Sequence, residues 1–257
     1  MNTLVFDIET VPDTALGRRL YGLHDLSDEQ VAQIMFTKRR QETGNEFLSH
    51  EQQRVVAISV LMRSRDSLKV WSLGDEASPE KDLIERFFDG LEKFTPDLVS
   101  WNGAGFDLPV LHYRSLLHSV TAARYWEMGE SDQSFRFSNY LNRFHWRHMD
   151  LMDILAGFQG RGRASLDDIA TLLGFPGKAG MRGADVWGAY LTGGLARIRD
   201  YCETDVLNTY LIYLRFELLR GHLNATEHAH EIARVRKLLD DSASAHLQEF
   251  SAAWPET

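Results

Sequence analysis

Asp7 and Glu9 interrupt an apolar run near the start of the chain, LVFDIETVPD. If that run is a strand, its side chains alternate between faces and the two acids project the same way. Two like charges buried side by side are costly unless a cation, usually a metal ion, neutralises them. The chemistry such a pair offers is therefore the binding of a hard cation. With 37 acidic residues in 257, acid-x-acid triplets also arise by composition alone. The pair acquires meaning only if the rest of the chain supplies matching groups.

Two other segments supply them. In SWNGAGFDLPVL a strand ends at Asn102, glycines free the backbone to turn, and Asp107 stands where a helix starts. Helix capping would explain Asp107 by itself. A helix start beside a strand end also sets a carboxylate at the rim of the sheet, where ligands collect in open α/β folds. In YCETDVLNTYLIY, Tyr201 and Asp205 are four residues apart and share one helix face. Tyr21 and Asp25 repeat that spacing, but YGLHD contains a glycine and lies in an irregular region. Glu203 is expected to point elsewhere, into solvent. Cys202 reads as a small buried core residue rather than a nucleophile, because no paired base can be identified near it. Asp150 and Asp153 are the competing carboxylates; capping accounts for Asp150, and His148 beside them reads as a core histidine. The scattered His228, His230 and His246 do not suggest a metal site.

These residues need a framework. Residues 3–8 read as a buried strand, followed to about residue 54 by an insertion with helical signals. There Ser27 and Gln30 resemble a capping box ahead of Val31, Ile34 and Met35. RVVAISVLM and LKVWSL read as two strands around a polar turn. Ser78 is the expected N-cap of a helix whose apolar stripe runs from Leu83 to Phe94. DLVSWN is a fourth strand, and HMDLMDIL holds a short fifth one that turns into a helix. Residues 121–147 are irregular and rich in aromatics and arginine. SLDDIATLLG is a capped helix stopped by Gly174, the stretch from Phe175 to Gly194 is loop-rich, and a long helix covers roughly Ala196 to Arg220. The segment from His222 onward is polar and helical. This alternation is an α/β pattern, and the short links between the first strands require some antiparallel pairing. A ribonuclease-H-like mixed five-stranded sheet flanked by helices fits better than a doubly wound parallel one.

The formal charge of −9 argues against a broad basic surface for gripping duplex nucleic acid. It leaves room for local basic clusters, Lys38-Arg39-Arg40 and Arg161 with Arg163, each read by itself as a solvated face. One cysteine excludes an intramolecular disulfide and fits a reducing compartment. No apolar segment approaches the ~20 residues of a membrane span. Met1 leads directly into a strand-like run, so no signal peptide is expected and the protein reads as cytoplasmic.

Taken together, Asp7, Glu9, Asp107, Tyr201 and Asp205 resemble the site of the DEDD superfamily of 3′-to-5′ exonucleases, in the subclass with tyrosine in the third motif. FDIET is similar to its first motif, NGAGFDLPVL to its second and YCETD to its third. HMDLMD, SLDDIATLLG and YCETDVLNTYLIYLR resemble the bacterial group related to the proofreading domain of family B DNA polymerases. The resemblance spans about Leu4 to Arg215. It implies an exonuclease domain over residues 1–221, with the insertion at about 12–54, and a C-terminal helical extension over 222–257. Only 52 residues follow the third motif, so proofreading in cis is not expected.

The same resemblance implies two divalent cations, Mg²⁺ or Mn²⁺, on Asp7, Glu9, Asp107 and Asp205. Asp7 would bridge both, Glu9 and Asp205 would hold the ion that activates water, and Asp107 would serve the second. Tyr201, an unsuitable base with an ordinary pKa near 10, would orient the attacking water. Asn102 and Phe106 are the expected substrate contacts, and Phe106, Trp101 and Tyr113 could stack terminal bases. The expected partner is the 3′ end of single-stranded DNA, bound weakly and digested distributively, with 5′-monophosphates released. An RNA exonuclease similar to ribonuclease D and a catalytically silent nucleic-acid-binding module are the rival readings; the presence of all four acids argues against the second.

Overall fold

The computed structural model describes residues 2–177 and 180–255. Five strands form one sheet: β1 (Thr3–Pro12), β2 (Gln53–Arg63), β3 (Leu68–Ser72), β4 (Asp97–Ser100) and β5 (His148–Asp150). Their order is β3-β2-β1-β4-β5. β1 runs antiparallel to β2, and β2 to β3, while β4 and β5 run parallel to β1. The mixed sheet expected from the chain order is present. β1 is longer than its apolar run suggested, reaching Pro12.

Strand alternation divides the core. Leu4, Phe6 and Ile8 of β1 pack on one face with α3 (Glu80–Phe94), α4 (Asp107–His118) and α5 (Ala123–Trp126). Val5 faces the other side, against α9 (Leu195–Leu219), and by the same period of two so do Asp7 and Glu9. α9 is buried around most of its circumference beyond Tyr201, because further helices cover its outer side. These are α7 (Leu166–Leu172), α10 (Ala225–Asp240) and α11 (Ala245–Ala253), and Val235, Leu239, Leu247, Phe250 and Trp254 belong to the same core.

The insertion folds as α1 (Thr14–Tyr21) and α2 (Asp28–Thr43) around its own small cluster of Val31, Met35 and Leu48. The Ser27–Gln30 capping box is present in both directions. Two readings of local sequence need correction. Helix α3 begins at Glu80 with Pro79 at the cap position, and Ser78 Oγ instead donates to Asp75 Oδ1. The loop-rich stretch after Phe175 contains α8 (Val186–Leu191); Lys178 and Ala179 within it lie outside the described residues. The short helix after β5 is α6 (Leu151–Leu155), and Asp150 caps it as expected.

Candidate active site

The sheet opens where β4 ends. β1 pairs with β4 only from Thr3 to Val5, so the later amides of β1 on that side lose their strand partner. The Ile8 N–H, between Asp7 and Glu9, donates instead to Asp107 Oδ1 at 3.1 Å. One hydrogen bond thus fixes the second-motif carboxylate against the first motif. The turn that delivers Asp107 depends on its glycines. A Cβ on Gly105 would come within 2.5 Å of Asn102 Oδ1, and one on Gly103 would collide with Ser100 Oγ. Asn102 adopts φ +66°, and its N–H and that of Ala104 donate to Asp150 at 2.9 and 3.0 Å. Asp150 therefore braces this turn as well as capping α6.

On the other strand edge, the register between β1 and β2 shifts at Glu9/Thr10. Such irregularities re-aim side chains and occur often beside functional sites. Above them lies α9. Cys202 Sγ donates to the Asp7 carbonyl at 3.4 Å and to Asp7 Oδ2 at 3.5 Å. Carboxylate oxygens of Asp7 and Glu9 and the Cys202 sulfur all lie within 4.8 Å of one another. Tyr201 is buried among Val11, Val56, Met181 and Val186, and its hydroxyl bonds to Asp205.

The electrostatics follow from this crowding. Burial and the charges of Asp107, Glu9 and Asp205 push the Asp7 carboxyl well above its ordinary range, and the Cys202 thiol counters them in part. Burial raises Asp107 to about 7 despite the backbone donors that favour its anion. Burial, then Asp205, Glu9 and Asp7, drive the Tyr201 hydroxyl upward, so it stays protonated at any working pH. The Cys202 thiol is likewise pushed up by burial and by Asp7, which leaves it inert as a nucleophile.

The structure thus brings Asp7, Glu9, Asp107, Tyr201 and Asp205 to one end of the sheet. Four interacting carboxylates and no histidine ligand make a hard oxygen donor set, which fits divalent cations such as Mg²⁺ or Mn²⁺. The competing acids are otherwise engaged. Asp153 pairs with Arg143 and Arg163, and buried His148 bonds to Ser100 Oγ. Glu203 does not face solvent freely: it accepts from Ser72 Oγ at 2.7 Å and from His246 at 2.9 Å.

Beside Glu9 opens a groove of about 520 Å³ lined by Phe36, Phe47, Phe106 and Trp187. The Phe47 and Phe106 rings are 5.3 Å apart, and His50 bonds to the Gly105 carbonyl at 3.0 Å. Phe106 had a sequence signal next to Asp107. Phe36, Phe47, His50 and Trp187 had none, since each stands in a separate segment without a shared period. Of the other aromatics near the second motif, Trp101 packs against the core and Tyr113 is exposed. The Lys38-Arg39-Arg40 cluster holds the insertion's own loop: Arg40 pairs with Glu46, and Arg39 donates to the Phe47 carbonyl.

Comparison with known proteins agrees with this site. Residues 45–254 match the family described as predicted 3′-5′ exonucleases related to the exonuclease domain of PolB. The chain belongs to that family and is an enzyme of the 3′-5′ exonuclease class. The match begins after Asp7 and Glu9 and includes α10 and α11. Among solved structures, the chain is similar to the family B DNA polymerase of the hyperthermophilic archaeon Pyrobaculum calidifontis. The TM-score is 0.52 at 18% identity, covering 98% of this chain and 27% of the polymerase. This likeness concerns the fold, and the chain spans about a quarter of that polymerase's length. No curated protein matches. Exonuclease domains of this kind use divalent metals, and their substrate is nucleic acid. No helix among the described residues is long and apolar enough to cross a membrane.

Proposed function

We propose that the protein removes nucleotides one at a time from the 3′ ends of single-stranded DNA, using two divalent cations held by Asp7, Glu9, Asp107 and Asp205. The observation that carries this reading is the meeting of these acids, from segments about 100 residues apart, where Asp107 accepts from the Ile8 N–H of β1. DNA rather than RNA is supported by the family's relation to PolB and by the polymerase of similar fold.

When bound, the cations would supply an activated water and neutralise charge on the leaving oxygen. The chain's own groups do the rest. The water oxygen bonds to phosphorus, the bond from phosphorus to the 3′-oxygen breaks, and that oxygen takes a proton. Tyr201, whose permanently protonated hydroxyl donates to Asp205, orients the attacking water by accepting a hydrogen bond from it on the hydroxyl oxygen and does not act as its base. Phe106, with Phe47 and Trp187 across the groove, stacks the terminal base next to Glu9, and Asn102 shapes the turn below it. Residues 1–221 form the catalytic unit, with 222–257 as a helical extension. The buried lone Cys202 suits a reducing compartment, the cytoplasm.

The test is digestion of matched 5′-labelled DNA and RNA oligonucleotides with Mg²⁺, Mn²⁺ or chelator. The expected result is a ladder shortening from the 3′ end of DNA, lost with chelator and in Asp7→Ala and Asp205→Ala. Preference for the RNA strand would redirect the substrate assignment. Undiminished cleavage by both variants would falsify the site.

A further inference from the structure

Residues 136–163 stand out from the rest of this acidic chain. They hold five arginines against two aspartates, a net +3 in a protein of −9. Arg143 and Arg163 both serve a single carboxylate, Asp153, at 3.0 and 2.6 Å, so one of their charges is left uncompensated, and Arg161 adds another. Rings are interleaved with these cations. Phe144 is 67% exposed, stands edge-on to Phe158 at 5.1 Å, and the Arg143 guanidinium lies 4.7 Å over the Phe158 ring. Phe158 itself has φ +60°, a left-handed conformation that costs a bulky side chain on the order of 1–2 kcal/mol. A strained backbone and a solvent-facing ring are poor choices for a surface that serves packing alone.

The location matters as much as the composition. Asp153 accompanies Asp150 at the start of α6, and Asp150 accepts from the Asn102 and Ala104 amides of the turn that presents Asp107. The arginine-aromatic surface is therefore tied, through Asp153 and Asp150, to the turn that presents Asp107.

We infer that Arg143, Phe144, Phe158, Arg161 and Arg163 form a platform for single-stranded nucleic acid, holding the nucleotides on the 5′ side of the one being cleaved. Guanidinium groups meet the phosphates, and Phe144 with Phe158 offers faces on which bases of any sequence stack. The assignment of the cleaved end rests on the catalytic reading above; the nucleic-acid surface itself does not.

Fluorescence anisotropy with labelled oligothymidylates of roughly 3 to 12 nucleotides, in chelator so that nothing is cut, covers the site size of a single-strand groove. Wild-type affinity is expected to climb with length. Phe144→Ala should lower long-strand affinity five-fold or more, matching the ~1–3 kcal/mol of one stacked base. Arg161→Gln, an exposed change, should reduce the slope of log affinity against log salt by roughly 0.7. Circular dichroism and melting confirm that both variants fold. Wild-type length dependence and salt slope retained in both variants, or no wild-type binding at any length, would overturn the platform, the former pointing to a protein partner for this face. Digestion by the wild type with Mn²⁺ is scored separately. An intact strand with a normal binding ladder removes the nuclease reading and keeps the platform, whereas cleavage with a flat ladder does the reverse.

Discussion

Burial penalises the Asp7 carboxylate most, and the charges of Asp107, Glu9 and Asp205 add to the penalty. Asp7→Asn keeps the shape and removes the charge. It should abolish hydrolysis while raising the melting temperature of the metal-free protein, by relief of about 1–3 kcal/mol of burial penalty and like-charge repulsion. A lowered melting temperature would mean that Asp7 is structural. The pH dependence follows from Asp107, whose folded pKa of about 7 exceeds its ordinary 3.8. A raised carboxyl makes the folded state hold the proton more tightly, so its stabilising contribution is full below about pH 4 and is lost as pH rises through 7. Denaturant titrations without metal should record stability falling from pH 5 to 8 by a few kcal/mol, and saturating Mn²⁺ should flatten that fall. A flat metal-free profile would contradict the buried cluster. The acids were legible because their signals are local, a period of two on β1 and four on α9. Phe47 and Trp187 were not, since only folding brings their segments to Glu9.

Among the elements, Arg114 joins what the chain order separates. It is buried on α4, bonds to Asp13 at 2.5 Å and grips Glu80 at the start of α3 with two nitrogens. Glu80 also accepts from the Val55 N–H of β2 and from His118. The entry to the insertion and three core elements are thus pinned at one guanidinium. Arg114→Ala leaves buried carboxylates without their cation and should cost about 3–5 kcal/mol in urea unfolding, whereas a loss under 1 kcal/mol would mean that water replaces the guanidinium. The helices declared themselves through caps and periodicity, as Ser27 with Gln30 does, and Ser78 misled by one position because Asp75 competes for its hydroxyl. Ion pairs spanning 101 residues leave no such trace. Glu203 looked solvent-facing for the same reason: Ser72 and His246 reach it from 131 and 43 residues away.

Across the whole molecule, a net charge of −9 coexists with a function that requires contact with polyanions. The charges are segregated: carboxylates cluster at Asp7, Glu9, Asp107 and Asp205, while arginines and exposed rings gather in residues 136–163. The fold supports this because β4 stops early and leaves β1 uncovered, so the carboxyl end of the sheet becomes the one place where all three motifs meet. Mn²⁺ titration followed by electron paramagnetic resonance tests that meeting directly. Wild-type protein should take up about two ions per chain, and Asp7→Asn with Asp205→Asn should lose both; equal uptake by the double variant, or no uptake by the wild type, would contradict the account.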